Sequence, residues 1–213
     1  MMKKFFNTLL VSLCVIALFF TPLKAEASEK ALSCNKAACE LRMLERDLWV
    51  DHVLWTRSFI VSDLASLEDK EAVAERLFKN QDDIGNAIKS FYGEEAGNKL
   101  ASLLREHIAL AGQVTDAAKS GNNADLKKYN KLWYDNADQI ADFLSAANPN
   151  YSNQALKDSL HKHLQFVTDQ VVARLSKDWK GDIKAFDEGK AHMMHFADML
   201  TEGIIKQFPQ KFK

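Results

Sequence analysis

Four histidines and two asparagines interrupt otherwise apolar stripes at nearly constant intervals along the chain. Successive members are separated by 28, 27, 29, 27 and 29 residues, and each takes the middle position of a stripe with helical spacing. Imidazole nitrogens and amide oxygens either ligate metal ions or form hydrogen bonds. The six residues are His52, Asn80, His107, Asn136, His163 and His192.

Additional metal-binding side chains lie close to these positions in the sequence. Asp83 comes shortly after Asn80, Asp138 shortly after Asn136, and His195 shortly after His192. Imidazole combined with carboxylate is a ligand set that suits zinc, copper or non-haem iron. The pattern predicts binding of a metal ion or small ligand at an internal layer, with the metal ligands drawn from His52, Asp83, His107, Asp138, His163, His192 and His195.

A purely structural role explains the same pattern. A buried imidazole or amide costs about 1–3 kcal/mol unless it is hydrogen-bonded, and several such groups at one level of a bundle can satisfy one another. Single buried polar residues fix helix register in coiled coils in this way. The alternative prediction is a non-catalytic structural or interaction module of the cell envelope. In that module the polar layer, which includes Asn80 and Asn136, only fixes register, and the outer faces meet a protein partner.

Helical periodicity is the only long-range pattern from about residue 40 onwards. Glycine, asparagine and proline clusters interrupt it and divide the domain 40–213 into six helices. Their approximate ranges are 40–65, 69–91, 94–119, 124–147, 152–178 and 182–207.

The even-numbered helices resemble one another around Asn80, Asn136 and His192, which lie at equal intervals of 56 residues. This similarity indicates a helical hairpin repeated three times. The predicted fold is therefore an all-α, up-and-down bundle. Its helices form either three equivalent hairpins or a four-helix core with two further helices packed on it.

The N-terminal 27 residues have the three parts of a signal peptide. Lys3 and Lys4 precede an apolar run over 5–20, and Ala25-Glu26-Ala27 provides a cleavage site. The run is shorter than the roughly 20 apolar residues that a membrane span needs, and no later segment is apolar for long enough. We expect a mature chain that begins near Ser28, has no transmembrane helix and is secreted or located in the cell envelope; the alternative is that the segment is kept as an uncleaved anchor.

Charge excludes one class of partner. Cleavage after residue 27 leaves 25 of the 28 basic and 28 of the 29 acidic residues, so the net charge changes from −1 to −3. Without a basic surplus the mature chain lacks the attraction that dominates binding to nucleic acids and anionic membranes. We therefore expect no nucleic-acid partner.

Two cysteines, Cys34 and Cys39, remain in the N-terminal segment 28–39 after cleavage. An even pair in an exported chain predicts a disulfide. Residues five apart on a helix are separated by about 8 Å at Cα, which is beyond disulfide reach, so the bond predicts a turn here. The alternative is a metal or redox pair, although C-x4-C alone is a weak metal signal.

Catalytic signatures are missing from the sequence. It contains no G-x-S-x-G, no glycine-rich phosphate loop and no H-E-x-x-H. Nor does it contain the paired E-x-x-H motifs of di-iron bundles. No reaction is predicted from the sequence.

Three sequence segments resemble those of a family of uncharacterised exported helical proteins of Gram-positive bacteria. They are Leu48-Trp49-Val50-Asp51-His52, the stretch from Asn80 to Asn86, and Gln207-Phe208-Pro209. The resemblance spans most of the mature chain. It implies an all-helical fold and an extracytoplasmic location, and it assigns no activity and no site residues.

Overall fold

The computed structural model describes residues 35–213, and within this range the chain is helical without any β-strand. The all-α class is therefore confirmed. The helices are α1 (Lys36–Leu64), α2 (Lys70–Ser120), α3 (Asn123–Ala147), α4 (Asn153–Leu175) and α5 (Trp179–Gln207), followed by a short 3-10 helix (Pro209–Phe212). None of these described helices has the length and hydrophobicity that crossing a membrane requires. The predicted signal peptide over 1–27 lies outside the described residues.

Side chains cap the N-termini of four helices, in accord with the polar residues that precede them. Asn35, Asn122, Ser152 and Asp178 each accept a hydrogen bond from a backbone N–H two or three residues later. Because Asn35 already caps α1, this helix begins at Lys36, four residues before the predicted start, and Cys39 lies in its first turns rather than in the predicted turn.

Cys39 is disulfide-bonded. Its predicted partner, Cys34, lies outside the described residues, so the identity of the pair stays a prediction.

Helix α2 accounts for the difference between the six helices predicted and the five observed within 35–213. It is assigned as one element of 51 residues, although Gly93 inside it has φ 86° and ψ 169°. In an unbroken helix, residues 85 and 97 would be about 18 Å apart. Instead, a Cβ added at Gly85 would lie 2.5 Å from the Gly97 carbonyl oxygen. The helix thus folds back at Gly93 into a first arm (70–92) and a second arm (94–120).

The five helices pack in sequence order around one core. Each helix contacts the next, and α1 also contacts α5, so that the described part of the chain closes into a ring. Apolar side chains from every helix fill the centre, among them Val53, Leu77, Trp133, Leu164 and Phe196, which are at most 5% exposed. This core surrounds several buried polar residues, among them His52, His107 and Asn136.

Candidate functional site

Five of the six regularly spaced polar residues are buried inside the bundle. His52, Asn80, His107, Asn136 and His163 are each at most 5% exposed. They come from α1, the two arms of α2, α3 and α4. His192 on α5 is only half-buried, and its Nε2 donates to the Ser159 carbonyl oxygen at 2.8 Å. We call the five buried residues the polar layer.

The environment of His107 determines its protonation. The Trp133 indole Nε1 donates to His107 Nε2 at 3.1 Å, and an indole N–H can only donate. Nε2 is therefore the acceptor, and Nδ1 carries the proton, which it donates to Asn136 Oδ1 at 2.8 Å. Both ring nitrogens are thus occupied by protein partners, and His107 has no lone pair free for a metal ion.

The two asparagines tie neighbouring helices together through backbone carbonyl groups. Asn136 Nδ2 donates to the Leu103 oxygen at 3.2 Å, and Asn80 Nδ2 donates to the Leu48 oxygen at 3.0 Å. Asn80 Oδ1 accepts from Gln81 Nε2 at 3.1 Å. Each amide therefore spans a helix boundary with both of its polar ends engaged.

His52 and His163 complete a cluster of three imidazoles. The ring centroids are 5.5 Å apart for His52 and His163 and 6.4 Å apart for His107 and His163. In contrast to His107, the Nδ1 atoms of His52 and His163 have no hydrogen-bond partner among the described residues. These two nitrogens are the unused polar atoms of the cluster.

All three imidazoles are held in the neutral form. Burial, and secondarily the repulsion that a protonated His107 would exert, lowers the pKa of His52 to about 3. Burial likewise lowers the pKa of His107 to about 4, although the Asn136 bond opposes this shift. Burial and then the neighbouring histidines hold the pKa of His163 well below its usual range. Neutral rings avoid the cost of a buried charge.

The remaining predicted metal ligands are not brought to this cluster. Asp83 pairs with Lys79 at 2.8 Å, and Asp138 accepts from His161 Nε2 at 2.8 Å. His195 is exposed. Between residues 35 and 213, no group of three or more His, Cys, Asp or Glu side chains is arranged to hold a metal ion. Among the described residues, the seven side chains from which the metal ligands were predicted to come therefore do not form one cluster.

Sequence reasoning missed a buried carboxyl group next to the polar layer. Glu45 and Trp49 on α1 are each 2% exposed, whereas Leu44, the apolar neighbour of Glu45 that hydrophobicity alone would place in the core, is 45% exposed. The true stripe of α1 runs through Leu41, Glu45, Trp49, His52 and Thr56. Its steps of three and four residues were visible in the sequence, but a buried glutamate is rare enough that the apolar alternative one residue away took precedence.

Glu45 carries a carboxyl group that is buried without a full set of hydrogen-bond partners. Its Oε2 accepts from Trp49 Nε1 at 3.3 Å, and its Oε1 has no hydrogen-bond partner among the described residues. Burial raises the pKa of Glu45 to about 7, with the Trp49 bond acting in the opposite direction. Glu45 therefore takes up a proton at a much higher pH than an exposed glutamate does.

Comparisons with known protein families, with curated proteins and with solved structures found no match for this chain. The resemblance to exported helical proteins consequently stays a prediction, and the arguments for function rest on the residues themselves.

Proposed function

We propose that this protein is a non-catalytic structural or interaction module of the cell envelope, in which the polar layer fixes the register of the helices. The observation that carries the proposal is the engagement of both nitrogens of His107 by Trp133 and Asn136. Because both ring nitrogens of His107 form hydrogen bonds within the protein, this residue holds α2 and α3 in a fixed axial position. The outer faces of the bundle then serve for contact with a protein partner.

The bonds of the layer depend on axial position. Sliding α3 by one residue along α2 would separate Asn136 from the Leu103 carbonyl group and from His107. Each buried group left without a partner costs about 1–3 kcal/mol. Alternative registers are therefore disfavoured more strongly than an apolar core alone would disfavour them.

The finer architecture belongs to the same proposal. We propose that the six helical segments, counting the two arms of α2 separately, form three repeated hairpins. The fold-back at Gly93 and the regular spacing of the polar residues support this arrangement. The ring of sequential neighbours favours it over a four-helix core with two further helices.

Export is the second part of the proposal. The basic residues, apolar run and Ala25-Glu26-Ala27 sequence support a signal peptide over 1–27, and hence a secreted or cell-envelope location. A disulfide at Cys39 is of the kind found in oxidising compartments.

A second candidate function is binding of a metal ion or small ligand at the histidine cluster. It is favoured by the unpartnered Nδ1 atoms of His52 and His163. Neutral imidazole is the form that ligates zinc, copper or iron. This site would be smaller than the one that the sequence predicted, because His107 is committed to the fold.

Elemental analysis separates the two candidates. The mature protein, purified without a histidine tag, is incubated with zinc, copper or iron and freed of unbound metal. A register-fixing layer predicts no stoichiometric metal and no metal-dependent rise in Tm. Stoichiometric metal that His163→Leu loses and His161→Leu retains would replace the first candidate with the second. His161 is the matched control because its partner is the half-buried Asp138.

A further inference from the structure

A cavity lies among the second arm of α2, α3 and α4. The buried part of its wall is aromatic and aliphatic and consists of Trp133, Val114, Val167 and Val171. These four side chains are at most 7% exposed. Asn130 is half-buried and Val172 is 58% exposed, so these two residues mark the side of the cavity nearest to solvent. We call this space the valine cavity.

Small side chains on the second arm of α2 leave this space open. The arm contributes Ala111, Thr115 and Ala118 to the wall, at steps of four and three residues that keep them on one face of the helix. One and two turns earlier, the same face carries the larger side chains of His107 and Leu104, which are buried. The cavity therefore arises where large side chains on this face give way to small ones.

The hydrogen-bond donors of the wall, apart from the Asn130 amide at the solvent side, are already used. The hydroxyl groups of Thr115 and Thr168 each donate to the carbonyl oxygen four residues earlier in their own helix, at 2.9 Å. The Trp133 N–H donates to His107. A water molecule inside a protein needs two to four polar partners, so this interior suits an apolar group better than water.

Volume limits the occupant. The cavity measures about 90 Å³, whereas a cavity of about 150 Å³ is the size that binds benzene in an engineered protein. Since a water-sized group takes up about 30 Å³, the valine cavity holds about three such groups. That is room for an aliphatic molecule of about three carbon atoms, and too little for an aromatic ring.

We propose that the valine cavity binds a small aliphatic molecule of the size of propane. The methyl and methylene groups of the ligand pack against the three buried valines and the Trp133 ring, and their removal from water drives binding. The site goes beyond the register-fixing role of the polar layer and does not depend on it, because no residue of that layer lines the cavity.

Methyl NMR of the full mature protein, labelled with carbon-13 in the valine methyl groups, tests the proposal. Propane dissolved under pressure is the probe. The methyl signals of Val114, Val167 and Val171 should shift along a saturable curve, whereas those of Val53, buried on α1, should stay in place. Absence of a saturable shift at the three cavity valines would overturn the proposal.

Variants on one helix arm locate the effect. Ala118→Leu extends three further carbon atoms from the wall into the cavity, so it should weaken propane binding about tenfold or more. Ala109→Leu makes the same change at an exposed position of the same arm and should leave propane binding unchanged. Equal affinity of the two variants for propane would refute the assignment to this cavity.

Benzene tests the size of the site independently of Ala118→Leu. The parent protein should bind benzene more weakly than propane. Val171→Ala removes two methyl groups from the wall and enlarges the cavity from about 90 Å³ to about 150 Å³. This variant should therefore bind benzene about tenfold or more tightly than the parent does. Benzene binding that is unchanged by Val171→Ala, or that equals propane binding in the parent, would contradict the proposed site.

Discussion

Acidification from pH 7.5 to pH 5 should destabilise the protein through its buried histidines. The pKa values of His52 and His107 are about 3 and 4 in the folded state, against 6.5 for a free imidazole. Because the folded state excludes the proton, their contribution to stability is complete above about pH 6.5 and falls as the pH approaches the folded pKa. At pH 5 the contribution of each of the two residues to the free energy of unfolding has fallen by about 2 kcal/mol.

Glu45 acts in the opposite direction over the same interval. Its folded pKa of about 7 lies above the free value of 4.5, so burial of this group is tolerated best at low pH and costs most above pH 7. Protonation at pH 5 therefore restores about 2 kcal/mol. The parent protein should lose about 2 kcal/mol in total from these three groups, with His163 adding to the loss.

Urea unfolding followed by circular dichroism at pH 7.5, 6 and 5 measures this balance. Glu45→Gln removes the compensating term, so the variant should lose about 2 kcal/mol more than the parent over the interval. It should also be the more stable of the two at pH 7.5. Identical pH dependence in both proteins would contradict a buried ionisable Glu45. Stability that does not fall with pH in either protein would refute the neutral histidine cluster.

Three further predictions concern packing and covalent structure. His107→Leu should cost about 2–5 kcal/mol in urea unfolding, because it leaves the Trp133 N–H and Asn136 Oδ1 buried without partners; a cost below about 1 kcal/mol would contradict the register proposal. Gly85→Ala should cost at least about 1–3 kcal/mol, because its Cβ would lie 2.5 Å from the Gly97 oxygen, whereas Gly112→Ala, whose nearest neighbour is at 3.6 Å, should be tolerated; equal costs would argue against the close arms of α2. Mass spectrometry of the unreduced mature protein should show a mass about two hydrogens below that of the reduced protein if Cys39 pairs with Cys34, and thiols titrating in fresh material would exclude the pair.

The inward direction of the polar layer was predictable because helical spacing reports which face a residue occupies. His107 and Asn136 follow that spacing and are buried as expected. Their roles were not predictable, because the Trp133 N–H that occupies His107 Nε2 reaches it from another helix. Periodicity gives the face of a residue and carries no information on which atom of a neighbouring helix it meets.

The errors at α1 and α2 have equally local causes. On α1, Leu44 and Glu45 compete for one core position, and hydrophobicity favours the residue that proved to be exposed. On α2, the break predicted between residues 91 and 94 lies at Gly93, where a single residue with positive φ turns the chain back and helix continues on both sides. The metal hypothesis depended on convergence of side chains, which one-dimensional spacing cannot establish.

Closure of the ring has a consequence for the order of folding. The two arms of α2 meet through residues about a dozen positions apart, so this contact is local and quick to form. The seam between α1 and α5 instead joins Arg46 to Asp198, 152 residues later in the chain. The side of Trp49 that contacts Phe196 therefore stays uncovered until the last helix becomes available. A chain shortened before α5 should keep its local helices and bind hydrophobic dyes along the exposed face of α1, as an unclosed intermediate would.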